Sequence, residues 1–149
     1  MLFRSAEMYP VPPMKKTFTR TEQIIGNWIQ SRKCRQNIVL ATKVVGPTLE
    51  SRAMGSYIRD GINHLSRKNI ESALEGSLRR LKTETIDIYQ IHWPDRIVNI
   101  FGQQGFKPPE NAETDNAKIT ETLETLENLR KDGKIRAYGV SNETPWGVM

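Results

Sequence analysis

Four times along its length the chain passes from a short apolar run, through a loop, towards an amphipathic helix, and no hairpin signal joins one apolar run to the next. That alternation admits few folds. Strands separated by helices pair in parallel, with right-handed crossovers that lay the helices against the sheet. Residues 86–91, Ile-Asp-Ile-Tyr-Gln-Ile, form the clearest strand, β-branched, aromatic and mostly apolar, as a buried parallel strand should be. Residues 37–43 and 134–140 read as two more, and residues 2–6 as the tail of another. Thr19 and Glu22 have capping-box spacing before the stripe Ile24, Ile25, Trp28 and Ile29, which predicts a helix to about residue 32. Ser66 stands where it can cap a second helix, with Ile70, Ala73, Leu74, Leu78 and Leu81 on its apolar face. Ile119, Leu123, Leu126 and Leu129 mark a third, closed by Gly133. Thr144 and Pro145 start a fourth. Long loops fill 46–66 and 94–117.

The fold class is therefore α/β. A barrel of eight such units takes about 250 residues, and 149 residues supply about half of them. The expectation is a partial (β/α)8 TIM barrel of about four consecutive βα units, with residues 1–149 as a single partial domain. Its open sheet edges invite self-association.

Composition excludes several classes. No apolar run approaches a membrane span, and the N-terminus lacks the apolar core of a signal peptide. Cys34 is the single cysteine, so no internal disulfide framework exists, which fits a reducing, cytoplasmic location. Two histidines and one cysteine, far apart, cannot make a structural zinc site unaided, and no metal is expected. Residues 1–82 carry 15 Lys and Arg against 6 Asp and Glu, and residues 83–149 carry 7 against 11. A basic half can mean nucleic acid, but Arg20, Arg32, Lys33, Arg35, Arg79, Arg80 and Lys82 are spread over helices without interleaved aromatics. A solvated helical face is the better reading, with no nucleic-acid or membrane partner.

In parallel α/β folds ligands bind at the carboxyl ends of the strands. Three chemically capable residues stand there: Tyr9 shortly after the first strand, Lys43 ending the second, and His92 just after the third. A tyrosine serves as a general acid near neutrality when an adjacent ammonium favours its phenolate. A histidine that donates to a carbonyl oxygen orients it and stabilises developing negative charge. Together they suit protonation of a carbonyl as hydride reaches its carbon. Plainer roles stay open for each: a loop anchor for Tyr9, a strand-end charge for Lys43, and a satisfied structural histidine for His92.

These residues lie in segments that, as an ordered set, resemble the aldo-keto reductases: Ala-Glu-Met-Tyr at 6–9, Ala-Thr-Lys at 41–43, Tyr-Gln-Ile-His-Trp-Pro at 89–94 and Gly-Val-Ser-Asn at 139–142. The runs at 6–12, 67–70, 77–81, 87–96 and 140–145 resemble the Tas-like branch of that superfamily. The resemblance implies a (β/α)8 barrel that reduces an aldehyde or ketone with NADPH. It implies Tyr9 as proton donor, Lys43 as the lysine that tunes it, and His92 as the residue that orients the carbonyl. Trp93 matches a position lining the substrate pocket. Ser141 and Asn142 match the pair that holds the nicotinamide carboxamide, though alone they read equally as a turn before a helix. A small carbonyl compound is the implied partner.

Two departures accompany the resemblance. The family has an aspartate five residues before the tyrosine, paired with the lysine; here the residue is Arg4. A cation in place of that anion is expected to cost Lys43 its partner and its fixed geometry, and to impair hydride transfer. The first strand and the last three βα units of the family, with most contacts to the cofactor's phosphates, have no counterpart among these residues, and no glycine-rich phosphate loop replaces them. The rival expectation is a non-catalytic remnant that acts as an interaction or structural module.

Overall fold

The computed structural model describes residues 1–48, 54–96, 98–99, 105 and 119–149. Its elements are β1 (Leu2–Arg4), α1 (Arg20–Arg32), β2 (Val39–Val44), α2 (Arg67–Leu81), β3 (Ile86–Ile91), α3 (Ile119–Lys131), β4 (Ile135–Val140) and α4 (Pro145–Val148). The four strands form one parallel sheet in the order β1-β2-β3-β4. The expected architecture, consecutive βα units of a barrel-type sheet, is the one observed.

Side chains alternate across a strand. Phe3 packs on Trp28 of α1, with ring centroids 5.0 Å apart, and Thr42 donates to Glu22 of α1 at 2.6 Å. Both therefore face the helices. Their neighbours in sequence, Arg4 and Lys43, face the other side of the sheet. The helix side holds the core, in which Leu40, Val44, Ile70, Leu74, Leu81 and Tyr89 are fully buried. Parallel pairing continues past the strand ends: Ser5 N–H donates to Ala41 O, Glu7 to Lys43 O, His92 to Val44 O and Ser141 to Ile91 O. The ladder thus carries the segments that bear the candidate residues into register.

Several local expectations are corrected. The second strand begins at Val39, because residues 35–37 form a 3-10 turn. The capping box at Thr19 does not form: Thr19 is left-handed (φ 67°) and its side chain makes no cap bond. Glu22 is instead drawn into the interior, fully buried, where it accepts from Thr42 Oγ1 and from Arg80 Nε, each at 2.6 Å. Ser66 precedes α2 but makes no side-chain cap bond. Thr144 does cap α4, accepting from Gly147 N–H at 3.2 Å, and Gly133 closes α3 at φ 74°. The basic residues are not all a solvated face. Arg80 pairs with Glu22, and Arg35 reaches Asp87 at 2.8 Å and Thr85 O at 2.6 Å. Most of the 94–117 loop lies outside the described residues.

Helices α1 and α2 touch at Gly26. A β-carbon there would lie 2.1 Å from Arg80 O and 2.9 Å from the Leu81 backbone. Alanine ordinarily favours a helix by about 1 kcal/mol over glycine. Here the helices must part to admit it, at about 1–3 kcal/mol. Gly26→Ala is therefore expected to lower stability, read as a lower urea midpoint; an unchanged or raised midpoint would refute the close approach.

Among the described residues strand β4 is the last strand of this sheet, with Tyr138 37% and Val140 40% exposed. Beside it a groove of about 360 Å³ is lined by Leu123, Leu126, Tyr138, Val140 and Val148 among others.

Candidate functional site

The segment after β1 turns at once, with Tyr9 N–H donating to Ala6 O at 3.1 Å. Glu7, 3% exposed, fastens this turn to the next unit. Its carboxylate accepts from Val45 N–H at 2.7 Å and from Arg59 at 2.8 and 3.0 Å. A buried carboxylate with a bidentate arginine and a backbone donor is a strong, geometrically specific tie. It holds the backbone that presents Tyr9.

Lys43 comes from the end of β2 and points away from the helices. Its Nζ lies 5.0 Å from the centroid of the Tyr9 ring and donates to Ser5 O at 2.6 Å. The expectation that Arg4 would leave Lys43 without fixed geometry is thus corrected: a backbone carbonyl anchors the ammonium. The electrostatic half of that expectation stands. Burial first, and then the Arg4 charge, lower the Lys43 pKa to about 8, with Glu22 opposing them.

His92 follows β3 and is 4% exposed. Its ring lies edge-on to Tyr9, 5.7 Å between centroids. Burial, and then the Lys43 charge, push its pKa down to about 3, so the imidazole is neutral at pH 7. Its Nδ1 is buried with no hydrogen-bond partner among the described residues. Between pH 6.5 and 3 the unfolded chain binds a proton at this residue that the folded chain does not, so stability falls as pH falls through that window. His92→Gln is expected to flatten this acid limb of a urea-midpoint profile; an unchanged slope would show that His92 titrates normally in the fold.

Trp93, 1% exposed, packs with Ala6, Met8, Val45 and Ile58. Its Nε1–H donates to Pro47 O at 2.9 Å, and Gly46 has no room for a β-carbon against its ring. It forms a wall beside His92, with ring centroids 5.0 Å apart. At the end of β4, Asn142 is left-handed (φ 53°). Its Nδ2 donates to His92 O at 2.8 Å and to Ser141 Oγ at 3.2 Å. All six sequence-predicted residues thus stand at the carboxyl edge of one sheet. Tyr9, Lys43, His92 and Trp93 form a contact chain, and Ser141 and Asn142 join it through the His92 carbonyl.

Sequence reasoning missed the residues that tie these loops together. Glu7 lies inside the quoted Ala-Glu-Met-Tyr motif, and an acid between a strand end and a candidate tyrosine was the available signal. Asp95 accepts from Leu65 N–H at 2.5 Å and meets His64 Nδ1 at 2.9 Å. Arg96 pairs with Glu143 and donates to Thr144 Oγ1. No metal-binding group of three or more His, Cys, Asp or Glu occurs among the described residues, and none of the described helices is long and apolar enough to cross a membrane.

Comparison with known proteins places this geometry in context. The model of the Aldo/keto reductase family matches residues 2–149. Protein tas of Escherichia coli is 44% identical over 144 residues, covering 97% of this chain and 40% of that protein. An aldo-keto reductase of Babesia bovis is 42% identical over 117 residues, covering 75% of this chain and 40% of its own length. Among solved structures, an aldo/keto reductase from Klebsiella pneumoniae in complex with NADP and acetate superposes with a TM-score of 0.60 at 28% identity, over 98% of this chain and 36% of that one. The holo form of an aldo-keto reductase from Bacillus halodurans gives 0.59 at 31% identity, over 94% of this chain and 36% of that one. The chain spans about two fifths of the length of these relatives.

Proposed function

Because the chain belongs to the aldo/keto reductase family, we propose that its strand-end cluster reduces the carbonyl of a small aldehyde or ketone with NADPH. The observation that carries this reading is that Lys43 and His92 both meet Tyr9, the Lys43 Nζ 5.0 Å from its ring centroid and the His92 ring 5.7 Å from it. In this reading Tyr9 gives its phenolic proton to the carbonyl oxygen. The Lys43 ammonium, held on Ser5 O beside the ring, stabilises the phenolate left behind. His92, neutral, donates a ring N–H to the same oxygen and fixes its orientation. Trp93 walls the pocket and limits water.

The nicotinamide end of the cofactor fits the residues present. Asn142 spends its Nδ2 on the His92 carbonyl and Ser141, leaving its Oδ1 without a partner among the described residues, and the Ser141 hydroxyl retains its proton for donation. A carboxamide needs one acceptor and one donor, which these two groups offer. NADPH, when bound, supplies the hydride.

Arg4 tempers this chemistry. It faces the same side of the sheet as Lys43 and disfavours the ammonium on which the phenolate depends. Arg4→Asp is therefore expected to raise carbonyl-dependent NADPH oxidation more than tenfold and to raise the Lys43 pKa, followed by NMR of the lysine side chain. No gain in rate would sink this role for Arg4.

A second reading has its own support. The exposed β4 edge and the adjoining apolar groove suit pairing with a second copy of the chain, in a structural rather than catalytic role. Sedimentation velocity decides it. A dimer that dissociates in Val140→Lys supports this reading, and a monomer at all concentrations removes it.

A further inference from the structure

Lys43 also has the surroundings of a nucleophile. Among the described residues, charged and titratable groups reach Lys43 from several neighbouring elements. From β1 comes Arg4, exposed and with no carboxylate partner among the described residues. Tyr9 comes from the turn after β1, and neutral His92 from the end of β3. Glu22 of α1 acts from across the sheet, its oxygens already taken by Thr42 and Arg80. Among the described residues no carboxylate pairs with Lys43, whose Nζ contact is the Ser5 carbonyl. Two cations thus share one face, neither paired with a carboxylate among the described residues. A buried amine beside a second cation is neutral in a larger fraction of molecules near pH 7 than a free lysine, and that neutral fraction is nucleophilic towards carbonyl carbon. At 5% exposure, only a small molecule reaches it.

We propose that Lys43 forms an imine with small aldehydes or 2-oxo acids that carry a carboxylate, the carboxylate resting on the Arg4 guanidinium. The neutral Nζ attacks the carbonyl carbon, a C–N bond forms, and the π electrons of the carbonyl move to its oxygen, which takes up a proton. The nitrogen loses one proton, the hydroxyl is protonated and leaves as water, and the nitrogen lone pair completes a protonated C=N bond. No electrons are exchanged with any third party. The step needs no NADPH and so stands apart from the reduction proposed above. Arg4 has opposite effects on the two, hindering reduction and favouring the imine.

The test uses the intact 149-residue chain with glyoxylate and sodium cyanoborohydride at pH 7, the reductant trapping the imine as a secondary amine. Peptide mass spectrometry then gives the rate at each lysine and at the N-terminus. Lys43 is expected to be labelled more than tenfold faster than the exposed Lys15, Lys16 and Lys68, and faster with glyoxylate than with acetaldehyde. Arg4→Asp, checked for native circular dichroism, is expected to erase both preferences. Labelling of Lys43 at or below the rate of the exposed lysines in the unmodified chain would overturn the proposal, whatever the variant does. So would an Arg4→Asp chain that is folded and equally reactive.

Discussion

Tyr9→Phe is expected to slow carbonyl-dependent NADPH oxidation by about 10²–10⁴-fold, the usual loss when a positioned general acid is removed. Phenylalanine keeps the ring that meets His92 edge-on and lies beneath the Lys43 ammonium, so the pocket keeps its shape while the transferable proton disappears. The backbone of this turn is held by Glu7 through Arg59 and Val45 and does not depend on the phenol. Cofactor and substrate binding should therefore survive, and the loss should fall on kcat with little change in KM. A variant that retains a tenth or more of the activity would remove Tyr9 as the acid and leave its ring a packing role.

Glu22→Ala is expected to cost about 3–5 kcal/mol of stability, the range found when one partner of a buried ion pair is deleted. Glu22 has no exposed surface, and its two oxygens are shared between Thr42 of β2 and Arg80 of α2. Among the described residues, alanine leaves a half-buried guanidinium with only Ser77 Oγ at 3.2 Å and Thr42 without its acceptor. It also removes the negative charge that opposes Arg4 at Lys43. The Lys43 pKa should fall further, which links the core to the site. Glu22→Gln, which keeps an acceptor for Thr42, should cost less. Urea unfolding measures both; a loss below about 1 kcal/mol for the alanine variant would contradict the buried-pair account.

The alternation of apolar runs and amphipathic stripes was enough to read the parallel order and the helices, because strand burial and helix faces are written in local periodicity. Gly133 and Thr144 behaved as their local chemistry predicts. Thr19 and Glu22 did not, for a tertiary reason: a carboxylate that could cap its own helix found a half-buried arginine and a threonine hydroxyl on two other elements. Arg35 and Arg80 misled for the same cause, since a sequence does not say that a helical cation lies over a buried acid. At the site, Tyr9, Lys43 and His92 were legible from their places at strand ends. The Ser5 carbonyl that anchors Lys43, and the Asn142 side chain on the His92 carbonyl, were not. Both depend on backbone atoms brought together by register, and no residue type signals them.

The measurement that tests the central claim most directly is a titration of the 149-residue chain with NADPH. Tryptophan fluorescence is followed in a Trp28→Phe, Trp146→Phe background, so that Trp93 beside His92 alone reports. The account predicts saturable quenching at micromolar cofactor, lost when Ser141 and Asn142 are both replaced by alanine. A folded chain whose Trp93 emission is indifferent to NADPH would contradict it.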